Sequence, residues 1–356
     1  MLVILLTFLL LIIRPLKEYR NTVLLWAGLV IFGQVAFHFG GVPKWMPHTL
    51  FSVLLGVHLR YGRFITSRQL IDRILFGLPF LLSASMPTRF IDAGRYYNQS
   101  VRWFIEGIPK GLANFDLYLI QLSGAHSTEA ILTSATGKGY DVLIPLIASM
   151  LIANGYSSLA DRKYSLPLLF ITFGLLTHFG QTASPDLLGA AFIIAYYVRH
   201  QDFTSVQSAV IAGLLILVKP IFLPVSILIL SGTSRQKQAT ALLVFIALGL
   251  FAAFKLYWSA GWLPFVGGLG LPWSIPKEAA DLLGQASIGE AAGNRGTYIL
   301  EGLRWRWIDT ILIIVYLLSV FFLRNRISSR FMWAHFLLGL FFLILVPQSR
   351  FILGPV

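Results

Sequence analysis

Two carboxylates and a scattered set of cations are the side chains of this sequence best suited to chemistry. The richest stretch reads Arg89-Phe-Ile-Asp92-Ala-Gly-Arg95-Tyr96-Tyr97-Asn98-Gln99-Ser-Val-Arg102-Trp103-Phe-Ile-Glu106-Gly107. Coiled into a helix, it sets Asp92, Arg95 with Tyr96, Gln99, Trp103 and Glu106 on one face. Asp92 would cap its start and Gly107 would end it. Such a helix suits an amphipathic element lying in a membrane interface. A sharper reading is a carboxylate at the lip of a membrane cavity, flanked by Arg and Tyr.

Five further places carry polar chemistry. Gln181-Thr-Ala-Ser184-Pro185-Asp186 reads as a helix start, since Pro lacks the donor that the first turn wastes and Asp favours the positive helix end. Lys219-Pro220 lies between two apolar runs, where a lysine either faces a polar cavity or snorkels to an interface. The segment from Tyr257 to Phe265 reads as an interfacial loop with aromatic anchors. Arg304-Trp305-Arg306-Trp307 and Arg350 are headgroup anchors or phosphate clamps, because guanidinium groups hold phosphate through charge-assisted bonds.

The elements that position these groups follow from composition. Of 356 residues, 56% are hydrophobic and only 12% charged, where a soluble protein has about a quarter charged. That excludes a soluble fold and disorder alike, and implies an all-α polytopic integral membrane protein. Apolar cores fall at about 1–13, 23–40, 48–59, 74–87, 139–154, 166–179, 187–198, 205–218, 221–232, 239–256, 308–323 and 332–346. They predict about twelve spans, within a range of ten to fourteen, in a single transmembrane domain over 1–356. Several need their semi-polar flanks to reach the ~20 residues of a full span, or are re-entrant. Outer loops are expected over 88–138 and 257–307. The abrupt close at Phe351-Ile-Leu-Gly-Pro-Val predicts a longer parent protein.

Charge fixes the expected orientation. Arg14, Lys17 and Arg20, then Arg60, Arg63, Arg68 and Arg73, Arg162 and Lys163, Arg199, Arg235 and Lys237, and Arg324, Arg326 and Arg330 occupy alternate short connections. The positive-inside rule assigns them to the cytoplasm. Asp92, Asp186 and Arg350 then share the opposite, extracytoplasmic face. The formal charge of +13 is thus a topology signal, not a mark of nucleic-acid binding. With no cysteine, disulfides, thiolate metal sites and cysteine nucleophiles are excluded. No Walker loop, nucleophile elbow or H-E-x-x-H is present, and the seven histidines show no metal-ligand spacing.

The Asp92 block resembles D-[ST]-G-L-Y-H-x-Q-x-[IV]-[KR]-W of a family of bacterial polytopic membrane proteins similar to the GT-C glycosyltransferases. Gly107-Ile-Pro-Lys-Gly111-Leu112-Ala-Asn114, Ser184-Pro185-Asp186, Val218-Lys219-Pro220, Ser259-Ala-Gly261-Trp-Leu263-Pro264-Phe265 and Pro347-Gln-Ser-Arg350-Phe351 resemble its later blocks, in order. Tyr97 stands where that pattern has His, Ala93 replaces a hydroxyl residue, and the final block is cut short. The resemblance implies a GT-C-like fold with a catalytic outer loop that contains the amphipathic helix. It implies transfer of a sugar from a polyprenyl-phosphate donor to a cell-envelope glycan or lipid acceptor at the outer face of the bacterial inner membrane. Asp92 and Asp186 would be catalytic, with Asp92 as the base. Asp186 would orient the acceptor or share a divalent cation, Mg or Mn, with Asp92. Arg95, Tyr96, Gln99, Arg102, Lys219, Arg304, Arg306 and Arg350 would bind substrate. A lipid-linked glycan polymerase or ligase and a polytopic transporter or flippase are the alternatives.

Overall fold

A computed structural model of the chain describes residues 11, 13–39, 43, 45–67, 69–71, 97–107, 123–136, 143–157, 184–219, 222–231 and 238–260. The helices in them are α1 (Tyr19–Phe39), α2 (Met46–Tyr61), α3 (Asn98–Glu106), α4 (Gly124–Thr136), α5 (Leu143–Ser157), α6 (Pro185–Val198), α7 (Ser205–Val218), α8 (Leu223–Ser231) and α9 (Gln238–Ala260), with one 3-10 turn at His200–Asp202.

Local chemistry explains where several of these helices begin and end. Thr204 opens α7 with a capping box: its hydroxyl accepts the Gln207 amide at 3.3 Å, while the Gln207 side chain accepts the Thr204 amide at 3.0 Å. Lys219 closes α7, and the proline that follows cannot extend it. Gly107 closes α3 at φ +118°, a conformation that a side chain would resist. α9 runs through Ala260, so Tyr257–Ala260 continue a helix where a loop was expected.

α4 is the hub, and packs against α1, α2, α3, α5, α6 and α7. It lies within 88–138, a region expected as an outer loop. Yet His126, Ser127, Thr128, Glu129 and Thr133 are all buried. Ser127, Thr128 and Glu129 make their hydrogen bonds inside the protein, which removes most of the cost of burying them. The Ser127 and Thr128 hydroxyls donate to the Gly124 carbonyl at 3.1 and 2.7 Å, and the Gln34 side chain of α1 donates to Ser127 Oγ at 2.7 Å. Glu129 accepts the Ile144 amide at 2.7 Å and so caps the first turn of α5.

These helices correct the expectation of about twelve spans in a GT-C-like polytopic architecture. Among the described residues a single helix, over Tyr19–Phe37, is long and apolar enough to cross a membrane by length and composition. α6 and α7 have 14 residues each, or about 21 Å at 1.5 Å per residue. A hydrocarbon core is about 30 Å thick. Their apolar stretches are surrounded by protein: Leu187 to Tyr196 and Ile211 to Val218 are buried throughout. An apolar run that is covered by neighbouring helices has the same composition as one covered by lipid. The described fold is helical.

α6 and α7 form a hairpin through the 3-10 turn, and α7 and α8 form a second. In the second, Ser226 Oγ of α8 donates to the Ala212 carbonyl of α7 at 2.7 Å, so α8 folds back along α7 and leaves Lys219 at the tip. The opposite end of α7 is held by Arg20, whose guanidinium donates to the Asp202 carbonyl at 3.0 Å. Arg14 and Pro15 meet Gly62 and Arg63 at the close of α2. Basic residues of three connections that are far apart in sequence are thereby linked through contacts at residues 14–20, 60–63 and 199–202.

Candidate functional site

Lys219 and Asp186 are the two sequence candidates that the fold brings together. Lys219 Nζ donates to Asp186 Oδ1 at 2.7 Å, and the two side chains are 17% and 3% exposed. Each stands where its helix favours it. Asp186 sits in the first turn of α6, at the positive end, and Lys219 ends α7, at the negative end.

Packing around the pair sets its position. Phe222, fully buried three residues past Lys219, lays its ring where a Cβ at Gly189 would stand, one turn past Asp186. Ser123 holds the other side of the tip: its hydroxyl donates to the Val218 carbonyl at 2.5 Å. A Cβ at Gly124 would lie 3.3 Å from the Leu217 carbonyl oxygen and 2.8 Å from Val30, so α4 begins in close contact with the end of α7. The starts of α4 and α6 and the end of α7 therefore meet in one buried place. Ser184, the residue before Pro185, is also buried there, and its hydroxyl has no hydrogen-bond partner among the described residues.

A buried ion pair is poor evidence for stability, because removing two charges from water costs as much as their attraction returns. Ionisable groups held among apolar helices point to binding or catalysis instead. The Lys219 ammonium, balanced by the Asp186 carboxylate, stands with the Ser184 hydroxyl and first-turn amides as a polar place among apolar helices.

The Asp92 block is described only from Tyr97 onward. α3 buries Ser100, Val101 and Phe104, with Tyr97 on the same side. Gln99 and Trp103 are half-buried, and Arg102 and Glu106 are exposed. The inward face thus follows the apolar residues, one step around the helix from the polar face through Gln99 and Trp103. Arg102 Nε donates to Glu106 Oε1 at 2.8 Å across one turn. The ring of Tyr97 lies 5.1 Å from that of His126 in α4, centroid to centroid. α4 therefore touches both the Asp92 block, through His126, and the Lys219 tip, through Ser123. Asp92, Arg95, Tyr96, Arg304, Arg306 and Arg350 lie outside the described residues.

Sequence reading passed over Ser123, His126 and Glu129. The available signal was the run 125–136, which contains neither glycine nor proline and is long enough for a helix. Among the described residues no group of three or more His, Cys, Asp or Glu side chains converges as a metal site, and the Lys219 ammonium occupies one oxygen of Asp186. Asp92, expected to share a divalent cation with Asp186, lies outside the described residues.

Residues 58–356 match the model of a family described as Domain of unknown function (DUF8201), and the chain belongs to that family. No curated protein and no solved structure matches the chain.

Proposed function

We propose that this DUF8201 member is a membrane-bound glycosyltransferase of the bacterial inner membrane. It would move a sugar from a polyprenyl-phosphate donor to a glycan or lipid acceptor of the cell envelope at the extracytoplasmic face. The observation that carries this reading is the buried Lys219–Asp186 pair at the meeting of three helix ends. It supplies a cation beside the positive ends of α4 and α6, which would engage the donor phosphate.

In the proposed step, the acceptor hydroxyl attacks the anomeric carbon while Asp92 takes its proton. The bond from the anomeric carbon to the phosphate oxygen breaks, and its electron pair leaves with polyprenyl phosphate. Lys219, aided by Arg304, Arg306 and Arg350, stabilises the negative charge that develops on that phosphate. Asp186 holds the Lys219 ammonium in place and orients the acceptor. Arg95, Tyr96, Gln99 and Arg102 would bind the sugar.

The test is turnover of radiolabelled polyprenyl-phosphate sugars by purified protein in lipid nanodiscs, with envelope lipid extract as acceptor. Wild type should consume donor. Asp92→Asn should not, while keeping its melting temperature. Full activity in Asp92→Asn would remove Asp92 as the base. Donor binding without consumption by wild type would overturn the transferase reading in favour of transport.

A further inference from the structure

The end of the molecule opposite Lys219 presents a built surface that the transfer reading leaves unused. Leu16 and Gly62 pair as an isolated antiparallel bridge. The Arg63 amide donates to the Pro15 carbonyl at 3.0 Å, and Arg14 Nε donates to the Gly62 carbonyl at 3.1 Å. The crossing is tight enough that a Cβ at residue 62 would strike the carbonyl oxygens of His58 and Arg14. The guanidinium of Arg14 sits 4.7 Å from the centroid of the Phe64 ring. Two segments distant in sequence are thus locked into one platform.

What the platform turns outward is basic and aromatic. Lys17, Arg60 and Arg63 are exposed and form no ion pair among the described residues. Tyr61 and Phe64 are 67% and 70% exposed. Among the described residues the nearby acids are already engaged, Glu18 by Arg20 at 2.8 Å and Asp202 by Arg199 at 2.7 Å. The surface therefore keeps an unbalanced positive charge beside two large rings. α1 rises from it two residues after Lys17 and runs 21 residues, about 31 Å at 1.5 Å per residue. It contains the described segment that is long and apolar enough to cross a membrane. Exposed rings beside unpaired cations at the foot of such a helix match the chemistry of the headgroup layer of an anionic leaflet.

We propose that Lys17, Arg60, Tyr61, Arg63 and Phe64 form a docking platform for anionic lipid headgroups. The inference shares the membrane placement of the function proposed above but not its chemistry, and its test uses no sugar donor. Full-length protein in neutral detergent is titrated with phosphatidylglycerol or phosphatidylcholine, and bound lipid is read by native mass spectrometry. Wild type should prefer phosphatidylglycerol. The variant Lys17→Gln/Arg60→Gln/Arg63→Gln should bind it about a hundredfold more weakly, at roughly fivefold per cation. Arg60→Lys/Arg63→Lys should retain binding, which separates charge from folding. Phe64→Ser should weaken retention of both lipids. Equal affinity for the two lipids, wild-type binding in the triple Gln variant, or tighter binding of an RNA oligonucleotide than of phosphatidylglycerol would overturn the proposal.

Discussion

The ring of Phe222 fills the place that a side chain at residue 189 would need, and this contact seats the tip of the α7–α8 hairpin against the first turns of α6. Lys219 reaches Asp186 because Gly189 leaves that room. Gly189→Ala should therefore act at a distance from its own backbone. A methyl group forced against a fully buried ring costs about 1–3 kcal/mol in a packed core. A lowered melting temperature is expected, with partial recovery in Gly189→Ala/Phe222→Leu. An unchanged melting temperature in Gly189→Ala would show that the hairpin tip yields freely.

The ion pair itself should show non-additive energetics. Removing one member of a buried pair leaves the other charge uncompensated, at about 3–5 kcal/mol. Lys219→Met and Asp186→Asn should each destabilise by an amount of that order. The double variant should lose less than their sum, because it buries no lone charge. Chemical denaturation of the four proteins in one detergent measures the cycle, and strict additivity would mean that the two groups act apart.

Glu129 offers a test of the buried hub. Its carboxylate accepts the Ile144 amide at the positive end of α5. Glu129→Gln keeps an acceptor but loses the charge, so about 0.5–1 kcal/mol is expected. Glu129→Ala leaves the amide unsatisfied, and about 1–3 kcal/mol is expected. Hydrogen exchange at the first turn of α5 should accelerate in the order Ala, Gln, wild type.

Arg102 separates binding from stability. Its pair with Glu106 is more than half exposed on both sides, and pairs of that kind contribute little in water. Arg102→Ala should leave the melting temperature unchanged. If Arg102 binds the sugar donor, the variant raises KM for donor several-fold with kcat unaltered. An unchanged KM would remove it from the site.

Much of the local design was legible in the chain. Ser184-Pro185-Asp186 begins a helix and Gly107 closes α3, as their backbone preferences require. Three of the basic connections also touch in the fold. Arg14, Arg20, Arg63 and Arg199 belong to segments that touch one another at the end away from Lys219. Such features act within a few residues, or follow from counting charge between helices, so no knowledge of packing is needed.

Packing decided the rest. Composition marks Leu187–Tyr196 and Ile211–Val218 as apolar, but only their neighbours determine that protein covers them. The polar run after Ser123 reads as a loop until Gln34, Gly124 and Ile144 satisfy its side chains and draw it inside. Asp186 stands out in the sequence as part of a helix start and Lys219 as a cation between two apolar runs, and nothing local joins them. Their contact depends on how a hairpin tip docks on another helix, which Gly189, Phe222 and Ser123 settle through shape and one hydrogen bond. Sequence by itself determined where helices start, stop and carry charge, because those are short-range effects of backbone and dipole. Which charges meet was left to the tertiary structure, because that depends on steric fit between segments far apart in the chain.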